Sequence, residues 1–365
     1  MDQFFVQDKA LIPVIEKIRH GQRLSLQDGL KLYESPDLLT IAQLANAVNY
    51  QKNGNKVYFI QNLYINPTNV CEAQCKFCGY RRSPDEEGAY TMSPEVLLEY
   101  VGERYHNQIR EFHIVGGHNP TVKFDYYVDT VKILKKNYPN VTIKAYTAAE
   151  IVFFAKLSRL KTEEVLKTLM AAGLESLTGG GAEILTEEYR LKMSPDKATT
   201  QEYLQTHELA HKLGLKTHAT MLYGSIESSE DRLTHMLLLR ELQDKHQGFY
   251  VFIPLAMQPK KQTASLNMRT SAFDDLKTLA ISRLMLDNFP HIKAYWINIG
   301  TQLAQMSLSY GVSDIHGTLI EERISHSVGA TTQSGITKDE LIWLIKGANK
   351  VPVERDTFYN IIKEY

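Results

Sequence analysis

The spacing of hydrophobic and polar positions changes near residue 55. Up to that point the apolar positions recur at helical spacing, with Ser25 and Asp37 placed to begin two helices. From Val57 the run VYFIQNLYINPT alternates in the manner of a β-strand. Six further strand-like runs follow, at residues 111–117, 141–147, 174–181, 215–224, 248–254 and 292–300. Helical stretches separate these runs, and the alternation predicts consecutive parallel βαβ units.

This order of elements favours an α/β fold, a TIM-type (β/α) barrel with helical additions at both ends. A doubly wound open sheet would need a glycine-rich phosphate-binding loop after its first strand, where this chain has cysteines. In a barrel the chemistry lies on the loops that follow the strands. We therefore expect an N-terminal helical extension at residues 1–55, the barrel at 56–330, and a C-terminal helical tail packed on the barrel at 331–365.

The charges of the chain are balanced. Lys and Arg number 41 and Asp and Glu number 42, which gives a net charge of −1 among 365 residues. Such a balance offers no overall attraction to nucleic acid or to an anionic membrane. No apolar run approaches the ~18–20 residues that span a bilayer, and the first residues lack the pattern of a secretory signal. We expect a cytoplasmic protein whose partners include neither nucleic acid nor membrane.

The three cysteines of the chain, Cys71, Cys75 and Cys78, lie within one short segment. An odd number at such close spacing argues against a disulfide framework. A structural zinc ion normally has four protein ligands, and neither a fourth cysteine nor a nearby histidine is present. Three cysteines on a four-iron cluster leave one iron without a protein ligand, whereas electron-transfer clusters normally take four. The spacing favours an iron–sulfur cluster open to a small molecule, with zinc or unligated thiols as the alternative.

The segment NPTNVCEAQCKFCGYRR resembles the cluster loop of the radical S-adenosylmethionine (SAM) superfamily, including the aromatic Tyr80 after the last cysteine. The resemblance implies a [4Fe-4S] cluster on the three cysteines, with its open iron chelating the methionine moiety of SAM. It also implies that an electron from the cluster cleaves SAM into methionine and a 5′-deoxyadenosyl radical. Gly116 and Gly117 match the glycine pair of this superfamily, whose backbone meets the methionine end of SAM.

Further SAM contacts are expected after the third and fourth strand-like runs. Thr147 and Glu150 follow the third run, where polar side chains face the mouth of a barrel. The glycines around Gly180 allow a ligand to approach the backbone, although the pattern is neither a P-loop nor a dinucleotide motif. Glu183 is a candidate acceptor for the ribose or amino group of SAM, and Arg190 a candidate partner for its carboxylate. The competing interpretation is an acid that begins a helix and a solvated helix cation.

Motifs from about Tyr58 to Ala330 resemble one branch of the superfamily, the aminodeoxyfutalosine synthase family of the futalosine route to menaquinone. These motifs are FHIVGG, IKAYTAAEI, SLTGGGAEI, ATMLYG, ELQD, FIPLA, DNFPHIKAYWI and DIHGTLIEERI. The sibling cyclic dehypoxanthinyl futalosine synthases share the cysteine loop and GGGAEI, whereas IKAYTAAEI, ATMLYG and IKAYWI favour the synthase. Two places depart from the family pattern: His118-Asn119 stands where Leu-His is common, and Ser225 where His is common.

The resemblance implies that SAM is a consumed co-substrate. In the implied reaction the 5′-deoxyadenosyl radical adds to the enol-ether double bond of 3-[(1-carboxyvinyl)oxy]benzoate. Rearrangement and loss of the enolpyruvyl carboxyl group then give 6-amino-6-deoxyfutalosine, and methionine is released. A flavodoxin or a ferredoxin is the usual electron donor. The alternatives are the sibling cyclase or another hydrogen-abstracting barrel enzyme, and a non-catalytic iron–sulfur or zinc protein.

This chemistry places two demands on the protein. A primary alkyl radical attacks almost any nearby C–H bond, so the acceptor carbon must be held close in a dry cavity. The two carboxylates of the substrate must also meet cationic or hydrogen-bonding groups when they are buried. The candidates for that second task are Arg81, His218, Arg283 and Tyr295, the last at the end of the seventh strand-like run.

Overall fold

The computed structural model describes residues 6–258 and 269–365. The first elements are a 3-10 helix at Lys9–Leu11 and three α-helices, α1 (Ile12–Arg19), α2 (Leu26–Glu34) and α3 (Leu38–Asn53). Ser25 and Asp37 cap α2 and α3 through their side chains, as the sequence predicts.

The strands that follow are β1 (Lys56–Ile60), β2 (Asn62–Ile65), β3 (Glu111–Ile114), β4 (Thr142–Thr147), β5 (Ser176–Thr178), β6 (Lys216–Tyr223), β7 (Phe249–Ala256), β8 (His291–Ile292), β9 (Asp314–Gly317), β10 (Val351–Arg355) and β11 (Ile361–Glu364). The helices among them are α4 (Pro94–Arg104), α5 (Phe124–Asn137), α6 (Ala148–Ser158), α7 (Thr162–Ala172), α8 (Glu187–Met193), α9 (Thr200–Lys212), α10 (Ser229–His246), α11 (Ala272–Met285), α12 (Trp296–Ile299), α13 (Thr301–Ser307), α14 (Ile324–Ser327) and α15 (Lys338–Gly347).

Seven parallel strands, β2 to β8, form one sheet in the order of the chain. Helices connect the strands and cover the outer face of the sheet, as the right-handed βαβ crossover requires. The region around β9 lies between the first and last strands, because isolated bridges join Lys293 to Asp314 and Leu63 to Ile320. The predicted (β/α) barrel is therefore confirmed as seven parallel strands connected through β9.

A second sheet lies at the amino end of the barrel strands, with the order β11-β10-β1-β9. β1 pairs in parallel with β10, with Lys56 opposite Val351. The single residue Gln61 separates β1 from β2, so the first strand-like run of the sequence is two strands in two sheets. Below the barrel, the Arg355 Nε atom donates to Asp314 Oδ2 at 2.7 Å, and both side chains are buried.

Two predicted elements differ from the structure. The seventh strand was expected to reach Asn298, but β8 ends at Ile292 and Asn298 lies in α12. The chain leaves β7 at this point because the Ala294 N–H donates to the Asp314 carbonyl of β9 instead. The tail at residues 331–365 was expected to be helical, and it contains α15 followed by β10 and β11. No helix within the described ranges is long and apolar enough to cross a membrane.

Candidate active site

A cavity of about 290 Å³ opens at the carboxyl ends of the barrel strands and reaches down between them. Thirteen of the predicted site residues line it: Cys71, Cys75, Cys78, Tyr80, Arg81, Gly116, Gly117, Thr147, Glu150, Gly180, Glu183, His218 and Tyr295. Loops that are far apart in the sequence thus meet around one cavity. Arg190 and Arg283 are the two predicted residues that do not line it.

The loop that carries the cysteines follows β2 and is fixed by backbone hydrogen bonds on two sides. The Glu72 N–H donates to the His118 carbonyl at 2.9 Å, and the His118 N–H donates to Cys71 Sγ at 3.2 Å. On the other side, the Lys76 N–H donates to the Met193 carbonyl at 3.0 Å. The loop is therefore held between the residues after β3 and the end of α8, with all three cysteines facing the cavity.

The chemistry of the cysteines suits a cluster. Burial raises the pKa of Cys75 to about 12 and also raises that of Cys71, so neither thiol ionises readily by itself. A bound metal ion deprotonates such a thiol outright. Among the described residues, no group of three or more His, Cys, Asp or Glu side chains is arranged to hold a single metal ion. Three thiols on one cavity wall, with a backbone N–H directed at one sulfur, fit the three-cysteine ligation of a [4Fe-4S] cluster.

Gly117 allows the cysteine loop to approach β3. A Cβ atom at this position would lie 2.1 Å from the Val70 carbonyl oxygen, far inside van der Waals contact. A Cβ atom at Gly116 would lie 3.2 Å from the Thr68 carbonyl oxygen, which is also tight. The glycine pair lines the cavity and is needed for the packing of the cysteine loop. Contact between its backbone and SAM stays a prediction.

Thr147 and Glu150 form the capping box at the start of α6. The Thr147 N–H donates to Glu150 Oε2 at 2.7 Å, and the Glu150 N–H donates to Thr147 Oγ1 at 3.1 Å. The other carboxylate oxygen accepts from the Gly116 N–H at 3.0 Å, so Glu150 ties α6 to the glycine pair. Burial raises the pKa of Glu150 to about 7, against the opposing effect of these hydrogen bonds. A direct contact between these two residues and SAM stays a prediction.

Glu183 pairs with a lysine that sequence reasoning did not single out. The Lys197 Nζ atom lies 2.8 Å from Glu183 Oε1 inside the cavity wall. Burial lowers the pKa of Lys197, but Cys75, Glu183 and Cys78 more than offset that effect and raise it. Glu183 itself has a φ of 49°, a left-handed conformation that a non-glycine residue adopts at some cost. Lys197 follows Pro195-Asp196 in the sequence, a pattern that indicates only an exposed turn.

Arg190 and Arg283 donate hydrogen bonds to backbone carbonyl groups and do not line the cavity. Arg190 donates to the Ala182 carbonyl at 2.5 Å and to the Ala198 carbonyl at 2.9 Å, and it thereby fixes the loop that presents Glu183. Arg283 lies in α11, fully buried, and donates to the carbonyls of Leu286, Phe289 and Pro290. The interpretation of Arg190 as a SAM-carboxylate ligand and of Arg283 as a substrate ligand is therefore corrected, since their guanidinium groups are directed at carbonyl oxygens outside the site.

The remaining candidates lie at two levels of the cavity. Tyr80 and Arg81 are at its mouth, where Tyr80 shares a hydrogen bond with Tyr90 and Arg81 donates to Ser83 at 3.3 Å. His218 lies deep in the barrel on β6, and Tyr295 packs edge-on against His316 with ring centroids 4.8 Å apart. These positions leave all four able to meet a ligand.

The deep end of the cavity is polar. We call its five lining residues the polar floor: Tyr64, His113, Lys144, His218 and His316. The Tyr64 hydroxyl is 3.1 Å from His316 Nε2, and the Tyr64 ring stacks on His113 at a centroid distance of 4.1 Å. Burial lowers the pKa of all three histidines well below 6.5, so they are neutral at pH 7. Strand parity alone did not show that Lys144 and His218 share one face with His113 and His316.

The two departures from the family pattern have separate surroundings. His118 lines the cavity and stacks on Phe153 with ring centroids 4.9 Å apart. Asn119 is buried and donates to Thr91 Oγ1 at 2.9 Å. Ser225 lies outside the cavity and is 2.9 Å from the Tyr189 hydroxyl. Of these three residues that differ from the family pattern, His118 is therefore the one that lines the cavity.

Comparison with known families and proteins agrees with this geometry. The model of the radical SAM superfamily matches residues 65–239, and the model of the CofH/MqnC C-terminal region matches residues 246–364. The solved structure of methylornithine synthase (PylB) superposes with a TM-score of 0.73 at 17% identity and covers 92% of this chain and 96% of its own, which shows a shared fold.

Curated relatives are similar over nearly the full length. The chain is 47% identical to the aminodeoxyfutalosine synthase of Thermus thermophilus, over 98% of this chain and 97% of that protein. It is 41% identical to the aminodeoxyfutalosine synthase of Streptomyces coelicolor, over 96% and 93%. It is 35% identical to the cyclic dehypoxanthine futalosine synthase of Halalkalibacterium halodurans, over 96% and 95%. With its three-cysteine loop at the mouth of a parallel barrel, this chain belongs to the aminodeoxyfutalosine synthase family of radical SAM enzymes.

Proposed function

We propose that this protein joins the adenosyl group of SAM to 3-[(1-carboxyvinyl)oxy]benzoate, with rearrangement and decarboxylation, to give 6-amino-6-deoxyfutalosine and methionine for menaquinone biosynthesis. The observation that carries the proposal is the continuity of one cavity from the three cysteines to the polar floor. Such a cavity can hold SAM beside a cluster at one end and an anionic aromatic substrate at the other.

The groups that would hold the cofactors lie at the mouth. Cys71, Cys75 and Cys78 would ligate a [4Fe-4S] cluster, which together with SAM supplies the 5′-deoxyadenosyl radical. The buried pair of Lys197 and Glu183 stands beside the cysteine loop and offers one cation and one anion to the zwitterionic methionine end of SAM. The glycines near Gly180 leave the adjacent wall free of side chains, so the remainder of SAM can lie against the backbone.

The walls between mouth and floor exclude water. Apolar side chains line this part of the cavity, including Val115, Ile253 and Leu255. The segment around α14 covers the cysteine loop, because a Cβ atom at Gly79 would lie 2.7 Å from Val328 Cγ1 and 2.8 Å from the Ser327 carbonyl oxygen. A dry and covered space keeps a reactive radical next to its acceptor carbon and away from solvent.

The test is a single-turnover assay without oxygen. The reconstituted protein is incubated with dithionite, SAM and 3-[(1-carboxyvinyl)oxy]benzoate, and the products are resolved by mass spectrometry. We expect 6-amino-6-deoxyfutalosine and methionine in equal amounts. Release of 5′-deoxyadenosine without a joined adenosyl product would instead support the sibling cyclase reaction, which the 35% identical relative makes the second candidate.

Two further parts of the proposal concern the compartment of the protein and its electron donor. The protein acts in the cytosol, and a flavodoxin or a ferredoxin supplies the electron at the mouth of the cavity. Arg81 and Arg82 follow the last cysteine, are partly exposed, and give an acidic electron carrier a surface to approach. Reduction of the cluster by purified flavodoxin, compared at low and high salt, tests this: we expect the rate to fall as salt rises.

A further inference from the structure

We propose that the polar floor binds the ring carboxylate of the substrate, through His218, His316 and Lys144, and so sets the orientation of the substrate in the cavity. This inference rests on the proposed function, because it assigns an end of the same substrate to a part of the same cavity. The chemical class it names is an aryl carboxylate.

The first support is a set of buried ring nitrogens that lack a partner. Among the described residues, no hydrogen bond reaches His218 Nε2, His316 Nδ1 or His113 Nδ1. His218 is 1% exposed and His316 is 2% exposed. Buried polar atoms are nearly always hydrogen-bonded, because an unpaired one loses its water without compensation. Three such atoms at one end of the cavity are available to a ligand that binds there.

The second support is the charge beneath the floor. A buried ionic cluster there contains two ion pairs, Lys144 with Glu111 at 2.6 Å and Arg355 with Asp314 at 2.7 Å. A third cation, Lys293, is 3.7 Å from the same Asp314 and has no hydrogen-bond partner among the described residues. Three cations thus share two carboxylates. Burial lowers the pKa of Lys293 to about 7, as expected for a cation without a full counter-charge.

One more carboxylate lines this side of the cavity, but it is already engaged. Glu322 accepts from the Ser325 N–H at 2.9 Å and lies 3.0 Å from His326 Nδ1. The other carboxylates near the floor, Glu111 and Asp314, are paired with Lys144 and Arg355. An anion on the floor therefore meets ring nitrogens that lack a partner, and the surplus of cations beneath the floor attracts it.

The third support is depth. His218, Thr220 and Leu222 face the cavity along β6, and the Leu222 N–H donates to the Glu183 carbonyl at 3.0 Å. Four residues of strand separate His218 from that level, which is ~13 Å at ~3.3 Å per residue. The enol ether must lie at the upper level, close to the cysteines. The carboxylate at the meta position of the ring is then the group that extends down to the floor.

This orientation agrees with the fate of the two carboxylates. The enolpyruvyl carboxyl group is lost in the reaction, whereas the ring carboxylate remains in the product. A fixed anion site is useful for the group that persists, because it holds the ring in place while bonds change at the other end.

The test compares two substrates in three proteins. The substrates are 3-[(1-carboxyvinyl)oxy]benzoate and 2-phenoxyacrylate, which lacks the ring carboxylate. The proteins are the unmodified enzyme, His218→Leu, and the control His207→Leu, which removes a buried histidine that lies outside the cavity. We expect the unmodified enzyme to prefer the dicarboxylate in kcat/KM by about ten- to hundredfold, the value of one or two hydrogen bonds to a charged group.

In His218→Leu this preference should fall at least about tenfold, mainly through KM, while the KM for 2-phenoxyacrylate and the affinity for SAM stay the same. His207→Leu should keep the preference. An unchanged preference in His218→Leu would overturn the assignment.

A binding experiment separates this inference from the proposed function. Ligand-observed NMR with 3-methoxybenzoate, against anisole as its uncharged counterpart, reports on the floor without turnover. Suppose that neither substrate gives an adenosyl product, but that 3-methoxybenzoate binds to the unmodified enzyme and not to His218→Leu. The floor assignment then stands and the proposed function fails. If the unmodified enzyme does not favour 3-methoxybenzoate over anisole, the floor assignment fails.

Discussion

Lys197 and Glu183 form an ion pair of 2.8 Å inside the cavity wall, and the pKa of Lys197 is raised by Cys75 as well as by Glu183. Breaking a buried pair from one side leaves the other charge without compensation, which costs about 3–5 kcal/mol. We expect Lys197→Met to lower the free energy of unfolding by about that amount in urea titrations. The double variant with Glu183→Gln should be more stable than Lys197→Met alone. A double variant as unstable as the sum of both single changes would show that the two residues act independently.

Gly117→Ala should prevent the cysteine loop from docking on β3. The added Cβ would meet the Val70 carbonyl at 2.1 Å, and a backbone atom cannot move aside as a side-chain end can. The measurement is iron content after anaerobic reconstitution, which we expect to fall to a minor fraction. Gly102→Ala in α4 is the matched control, because its Cβ would come no closer than 3.9 Å to the Tyr138 hydroxyl. Equal iron in both variants would refute the prediction.

Cys75→Ala should lose the cluster and the activity together. Cys75 is the most buried of the three thiols, at 8% exposure, and two remaining cysteines leave a four-iron cluster with two open corners. We expect no visible absorption from a cluster and no adenosyl product, with circular dichroism unchanged. Full turnover in this variant would contradict the ligand assignment.

The stability of the protein should decline with rising pH because of Glu150. Burial raises the pKa of this carboxyl from 4.5 to about 7. Between these values the folded state holds a proton that the unfolded chain has released, so the free energy of unfolding falls as the pH rises and levels off above pH 7. The loss from this group is about 3 kcal/mol. Urea midpoints at pH 5 and pH 7.5 should differ less in Glu150→Gln than in the unmodified protein; an equal difference in both would refute this origin.

Arg283→Met should weaken the fold and leave substrate binding alone. The guanidinium of Arg283 is fully buried and donates to backbone carbonyls after α11, which the variant leaves without donors. We expect the free energy of unfolding to fall by about 3 kcal/mol or more. The KM of the folded variant for the benzoate substrate should stay within about twofold of the original, below the effect of a single lost hydrogen bond. A large rise in KM alone would restore Arg283 as a substrate ligand.

The sequence predicted those features that depend on local pattern. Alternation of strand and helix determines the order of the parallel strands, and the spacing of three cysteines determines their common loop. The helix starts at Ser25 and Asp37 were also found, because a cap and its helix lie within four residues.

Features that depend on distant contacts were not predicted. Lys197 becomes important only when the fold brings it to Cys75 and Glu183, and nothing in its neighbours in sequence shows this. The direction in which Arg283 points depends on the carbonyls that follow α11. The break at Gln61 arises because β10, from the far end of the chain, pairs with β1. Tertiary contact decided each of these cases over local preference.

The pairing of Lys56 with Val351 also means that the second sheet can form only after both β1 and β10 have been synthesised. A ribosome makes β1 long before β10, so the underside of the barrel stays uncovered until β10 has been made. Contacts between such distant segments form slowly, since a long loop must close first. A truncated chain that ends before β10 would therefore leave the polar floor open to solvent, even with every residue at the cysteine end of the cavity intact.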